Sequence, residues 1–303
     1  MEFCHIAPTA YVPLVGNHPR HLVLAHLVES NQAYVDAYLR VKEDNPKATF
    51  IMDNSAFEMF KAGKEMYPSE KLIELAQTIK ADYVVMSDYP KEDWNKTKEK
   101  AIEMSEQIHA AGLKTFYVPQ SPLGDLDGLC ASFRWAINNL GRSIDLIGVS
   151  ILACPIALGL DENQYNKSVS GTYKMQRFLS RWKIMQELEA RKIINHNPYG
   201  GWADQLGKEL KNCFHFLGMT EGPQEINLVK DYFDLIASWD TSSAVWHGIN
   251  HIRYDKSGTG LVNGKFEKEV NFDAKFKVDS ISDIMYNVNY IDQIVERLNK
   301  AAE

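Results

Sequence analysis

Short runs of apolar, β-favouring residues recur along the chain, and each is followed by a stretch whose apolar positions repeat with helical spacing. The runs Phe3 to Ile6, Thr49 to Met52, Tyr83 to Met86, Thr115 to Val118, Leu146 to Ile151, Phe214 to Gly218 and Phe233 to Ala237 mark seven candidate strands. Between them, Ser69 to Lys80 and Lys96 to Ala111 carry apolar residues at i, i+3, i+4 and i+7, and Gly112 stands where a helix C-cap is wanted. Strands this apolar on both faces need cover on both sides, as in a parallel sheet or a closed barrel. Strand after strand ends on a polar or carboxyl residue, which suits one ring of C-terminal ends around one site. The pattern therefore predicts an α/β chain folded as a single (β/α)8 TIM barrel over residues 1–303, in preference to an open doubly wound sheet. An eighth strand is only weakly marked and is placed near Val245 to Ile252.

The spacing breaks once. Roughly sixty residues separate the fifth recognised strand, ending at Ile151, from the next, which begins near Cys213, and an excess of this kind in a barrel is expected as an insertion on the functional face. We assign 154–212 to this insertion after strand 5. Within it, 167–192 is basic, with Lys174, Arg177, Arg181 and Lys183 interleaved with Tyr173, Phe178 and Trp182. Such a segment fits either a solvated helix face or a nucleic-acid surface.

Composition narrows the classes. The chain has 303 residues, 45% of them hydrophobic, enough for one large core. It shows neither an apolar run of membrane-spanning length nor a secretory leader, so a soluble, cytoplasmic protein is expected. The net charge of −7 means that a nucleic acid would have to be met by a local basic surface. Cys4, Cys130, Cys154 and Cys213 lie far apart, which predicts reduced, buried thiols in place of a zinc knuckle or disulfide framework. His5, His215, His247 and His251 lack the spacing of a metal-binding helix and are read as structural. No metal and no cofactor is expected, since phosphate-loop and dinucleotide fingerprints are also absent.

The chemistry-bearing candidates sit at predicted strand ends. Asp53 follows the run ATFIM and Asp88 follows YVVMS one βα unit later. Gln120 closes the next strand with an amide suited to the edge of a heterocycle, and Gly148 removes a side chain that would crowd a bound planar ligand. Asp240 closes the strand that begins at Phe233, whereas Asp234 lies at its start, so geometry selects Asp240. Asp53 and Asp240 form the central carboxylate pair. On these residues alone, a barrel glycosidase and a non-catalytic nucleic-acid-binding module both remain open.

Taken in order, these blocks resemble the tRNA-guanine transglycosylase superfamily, barrel enzymes that exchange guanine for a 7-deazaguanine base. Asp53-Asn54-Ser55-Ala56-Phe57-Glu58 is similar to that family's D-S-G-G-F-Q block. His215-Phe216-Leu217-Gly218, Gly222-Pro223-Gln224-Glu225 and Phe233 to Asp240 are similar to its Y-L-M-G, T-P-E-D and F-D segments, and Tyr286 to Arg297 resembles its closing helix. The family's C-x-C-x-x-C zinc segment is missing, and 254–279 carries Gly- and Lys-rich hairpin-like sequence in its place. A zinc-free chain of this kind looks more like the DpdA group of phages and bacterial modification clusters, which places 7-deazaguanine derivatives into DNA. The resemblance implies Asp240 as nucleophile, Asp53 as acid-base group, and Asp88, Gln120, Gly148, Ser55 and Phe57 around the base. It implies DNA, or alternatively tRNA, as one partner, with a basic surface at Lys174, Arg177, Arg181 and Lys183, and a 7-deazaguanine such as preQ0 as the other.

Overall fold

The computed structural model describes residues 1–160, 170–197, 200–219, 222–254 and 268–302. Eight parallel strands make one sheet: β1 (Glu2–His5), β2 (Arg20–Leu24), β3 (Thr49–Asp53), β4 (Tyr83–Val85), β5 (Lys114–Tyr117), β6 (Leu146–Ser150), β10 (Phe214–Leu217) and β11 (Ile236–Thr241). A separate antiparallel sheet is formed by β7 (Ile194–His196), β8 (Trp202–Asp204) and β9 (Glu209–Leu210). The large sheet runs β1-β11-β10-β6-β5-β4-β3-β2 and curls until β1 and β2 stand side by side, a nearly closed (β/α)8 barrel. Across that seam Arg20 Nε donates to Glu2 Oε2 at 2.7 Å.

Burial on both faces explains why these strands read as continuous apolar runs. All five residues of β6 are buried, as are the last four of β2. Each large aliphatic side chain so placed contributes about 1.5–3 kcal/mol. Helices supply the outer cover where helical spacing predicted them, at Ser69–Thr78 and Trp94–Ala110, the latter capped by the Asp93 carboxylate on the Asn95 amide. Gly112 takes the left-handed φ of 76° that ends this helix. The last helix, Ile281–Ala302, packs beside β1. No described helix is long and apolar enough to cross a membrane, and all four cysteines are free and buried.

Three expectations are corrected. The strand that periodicity missed is β2, whose five residues begin with Arg20 and His21. Val245 to Ile252 is not a strand but falls largely in the helix Ser243–Ile249. The strand expected from Phe233 begins only at Ile236, because Lys230–Leu235 winds as a 3-10 helix that buries Tyr232, Phe233 and Leu235. Counting β2, the long insertion follows the sixth barrel strand. It also divides: the helix Ser170–Ala190 returns along the barrel, and β7 to β9 gather at the N-terminal rim, away from the strand C-termini. There Lys208 Nζ donates to Leu140 O and Trp202 lies against Tyr232, both partners in segments that lead into strands. Half of the hairpin-like stretch in 254–279, residues 255–267, lies outside the described residues, and its described part from 268 to 277 is loop. Lys167 of the basic segment also lies outside the described residues.

Candidate active site

A cavity of about 250 Å3 opens at the C-terminal rim, lined by Asp53, Asn54, Phe57, Glu58, Asp88, Val118, Gln120, Leu217, Gly218 and Asp240 among others. Register brings the central pair there: Asp53 is paired with Leu24 on β2, and Asp240 with Cys4 on β1. Period-two alternation then turns both carboxylates into the barrel.

Asp240 is held from beneath. Its Oδ2 accepts from His215 Nε2 at 2.9 Å and from the Gly218 amide at 3.0 Å. Complete burial pushes the His215 pKa down, against the opposing pull of Asp240, so the ring is neutral with its proton on Nε2. Nδ1 then accepts from Ser238 Oγ at 2.7 Å, and Ser238 Oγ accepts from Arg20 Nη1 at 3.2 Å. A hydrogen-bonded chain therefore runs up the barrel axis from Glu2 through Arg20, Ser238 and His215 to Asp240. Gly218 has φ 74°, and a Cβ there would stand 2.8 Å from Ile151 Cγ2, so only glycine delivers this amide to the carboxylate.

Asp53 is fixed by the turn that follows β3. Ser55 occupies the left-handed region (φ 56°, ψ 34°), which lets its amide donate to Asp53 Oδ2 at 3.0 Å. Burial raises the Asp53 carboxyl well above its ordinary range, and the neighbouring Glu58 adds to the shift. The shift favours the protonated form of this carboxyl.

Asp88 faces two amides. Asn54 Nδ2 donates to its Oδ1 at 2.7 Å, and Gln120 Nε2 donates to its Oδ2. Burial lifts the Asp88 pKa to about 6, while these two bonds oppose the rise. Gln120, 3% exposed, is left with Oε1 buried and without a partner among the described residues. An acceptor stranded this way costs about 1–3 kcal/mol unless a donor arrives.

The cavity brings together Asp53, Asp240, Asp88, Gln120 and Phe57, and not the other candidates. Ser55 is buried behind Asp53, its Oγ 2.8 Å from His26 Nδ1. Gly148 lies below the cavity, where a Cβ would meet Leu217, Phe116 and Val118 at 2.8 to 3.0 Å, so its missing side chain serves barrel packing and not ligand approach. Arg181 is withdrawn from any nucleic-acid surface: it is fully buried, bidentate to Glu225 at 2.7 Å, and also donates to Val149 O and Leu217 O. Lys174, Arg177 and Lys183 are half-buried along the same helix, with Arg177 at a groove beside the cavity.

Sequence reasoning missed Asn54, Glu58, His215 and Gly218 as site residues. His215 carried a signal, a histidine alternating with Phe214 and Phe216 on an otherwise apolar strand. Of the other histidines, His247 Nδ1 meets Ser243 O and His251 pairs with Asp283. His5 and His18 share the carboxylate of Asp292, each at 3.0 Å. These three could in principle surround a cation. Coordination through His5 Nε2, however, would bury a protonated Nδ1 that has no acceptor among the described residues, so a carboxylate shared by two imidazoles fits the site better.

No protein-family model matches the chain, and a search of curated proteins finds no match.

Proposed function

We propose that this protein is a base-exchange transglycosylase that replaces guanine in DNA with a 7-deazaguanine derivative through a covalent Asp240–sugar intermediate. The observation that carries the reading is the orphaned Gln120 Oε1 beside Asp88, an acceptor pair in the same cavity as two carboxyl groups held by different partners. Guanine presents N1–H and an exocyclic amine on one edge, donors that match two adjacent acceptors.

Chemistry follows from the asymmetry. Asp240 attacks C1′ through the oxygen that His215 and Gly218 leave unengaged, the C1′–N9 bond breaks, and the departing base takes the proton held by Asp53. The incoming 7-deazaguanine returns a proton to Asp53 from its N9, attacks C1′, and releases Asp240. The target nucleotide must leave the helix stack, or lie in a single strand, for C1′ to reach carboxyl groups at the barrel mouth.

The test offers labelled 7-deazaguanine with duplex DNA, single-stranded DNA and tRNA, and scores which polymer gains label. Intact-mass analysis of the denatured protein after mixing with polymer alone reads the adduct on Asp240. Label incorporation that persists in both Asp240→Ala and Asp53→Ala would overturn the proposal, and incorporation into tRNA alone would reassign the polymer.

A further inference from the structure

A second depression, of about 110 Å3, adjoins the carboxylate cavity and shares Phe57, Pro90, Ile151 and Leu152 with it as a common wall. Phe57 and Phe60, one helical turn apart on Ala56–Ala62, form one side, and Tyr173 and Arg177, one turn apart on Ser170–Ala190, form another. We propose that this groove is a subsite for the nucleobase of a nucleotide neighbouring the reacting one in a single-stranded or locally opened polynucleotide. The proposal rests on the base-exchange reading above.

Two observations select this occupant. The first is charge segregation: the cavity is lined by Asp53, Glu58, Asp88 and Asp240 with no lysine or arginine, whereas the groove is lined by Lys91 and Arg177 with no carboxylate. A reacting base needs acceptors and a proton donor, but the phosphate that joins it to the next nucleotide needs cations, and the groove supplies two of them next to its aromatic faces. The second is the aromatic surface. Phe57 and Phe60 are 47% and 51% exposed, and flat aromatic faces next to cations are how single strands are held without sequence readout. The volume suits one ring system and not a folded segment of another protein.

The test uses full-length Asp240→Asn protein, which separates binding from turnover, and short fluorescein-labelled single-stranded DNA and RNA of the same sequence, read by anisotropy. Adding Phe60→Ala or Tyr173→Ala should weaken strand binding roughly 5- to 100-fold, while Tyr173→Phe, which keeps the ring, should bind as the parent does. Arg177→Gln should lower the slope of log affinity against log salt by about 1. Parent-like affinity in both alanine variants, or no strand binding by the parent, overturns the subsite. Should the alanine variants fail to fold by circular dichroism, Phe60→Leu supplies the same comparison. If exchange in the wild-type protein depends on Asp240 while the groove variants bind normally, the subsite fails and the enzyme reading stands. If the variants lose the strand and no exchange occurs, the reverse holds.

Discussion

His215 Nε2 stands 2.9 Å from Asp240 Oδ2, and both groups are buried. A neutral imidazole whose other nitrogen is engaged by Ser238 has one rotamer and one tautomer open to it, so it fixes the carboxylate plane. Replacing it with phenylalanine should lower the rate of base exchange about 10- to 100-fold, the worth of one buried hydrogen bond to a charged group. Single-turnover kinetics check this, and a matching rise in KM with an unchanged rate would show that His215 serves binding instead.

Burial, and secondarily the neighbouring Glu58, raises the Asp53 pKa well above its ordinary value. As a general acid Asp53 acts only below its raised pKa, so exchange should fall on the alkaline side of the pH profile as that proton is lost. The residual activity of Asp53→Asn should lack that limb. Rate measurements across pH on both proteins test it.

Arg181 is bonded to Glu225 with neither side chain exposed, and its guanidinium lies 4.5 Å from the Trp239 ring centroid. Arg181→Met should destabilise the fold by about 3–5 kcal/mol, because it leaves Glu225 charged and buried, whereas adding Glu225→Leu should restore much of the loss. Urea denaturation of the single and double variants measures both. A surface role for Arg181 would leave stability near that of the parent.

His21 is buried with its Nδ1 without a partner among the described residues, and burial depresses its pKa from 6.5 to about 4. Between these values the unfolded chain binds a proton that the native ring refuses, so stability present above pH 6.5 is lost as pH falls toward 4, by up to about 3 kcal/mol from this residue. Denaturation midpoints over this range should decline in the parent and decline less in His21→Leu. Equal slopes would assign the acid sensitivity elsewhere.

Gly148→Ala would place a methyl group within about 3 Å of three side chains, an overpacking cost of about 1–3 kcal/mol. Melting temperature should drop while the affinity for free 7-deazaguanine, measured below the transition, stays the same. A loss of affinity without a loss of stability would return Gly148 to the ligand.

Legibility in the sequence followed local pattern. Strands with apolar residues on both faces, such as β6, and helices with a four-residue repeat, such as Trp94–Ala110, were read correctly because burial on a barrel imposes those patterns directly. β2 was lost because Arg20 and His21 open it, and Arg20 is polar for a long-range reason: it bonds Glu2 and Ser238 across the barrel. Val245 to Ile252 was misread because a short run of this kind fits a buried strand or a buried helix equally well. Arg181 looked like a surface cation because its counter-charge lies 44 residues away.

The sequence by itself determined the βα repeat and the residues that end the strands, Asp53, Asp88, Gln120 and Asp240 among them, since period and polarity are local consequences of which face is buried. Only the tertiary structure decided which partners these groups have. Asn54 meets Asp88 across 34 residues and His215 meets Asp240 across 25, and those contacts hold the two carboxyl groups in place. Hydrogen-bond partners and burial are properties of three-dimensional proximity, and chain closure into a barrel is what brings distant strand ends to one rim.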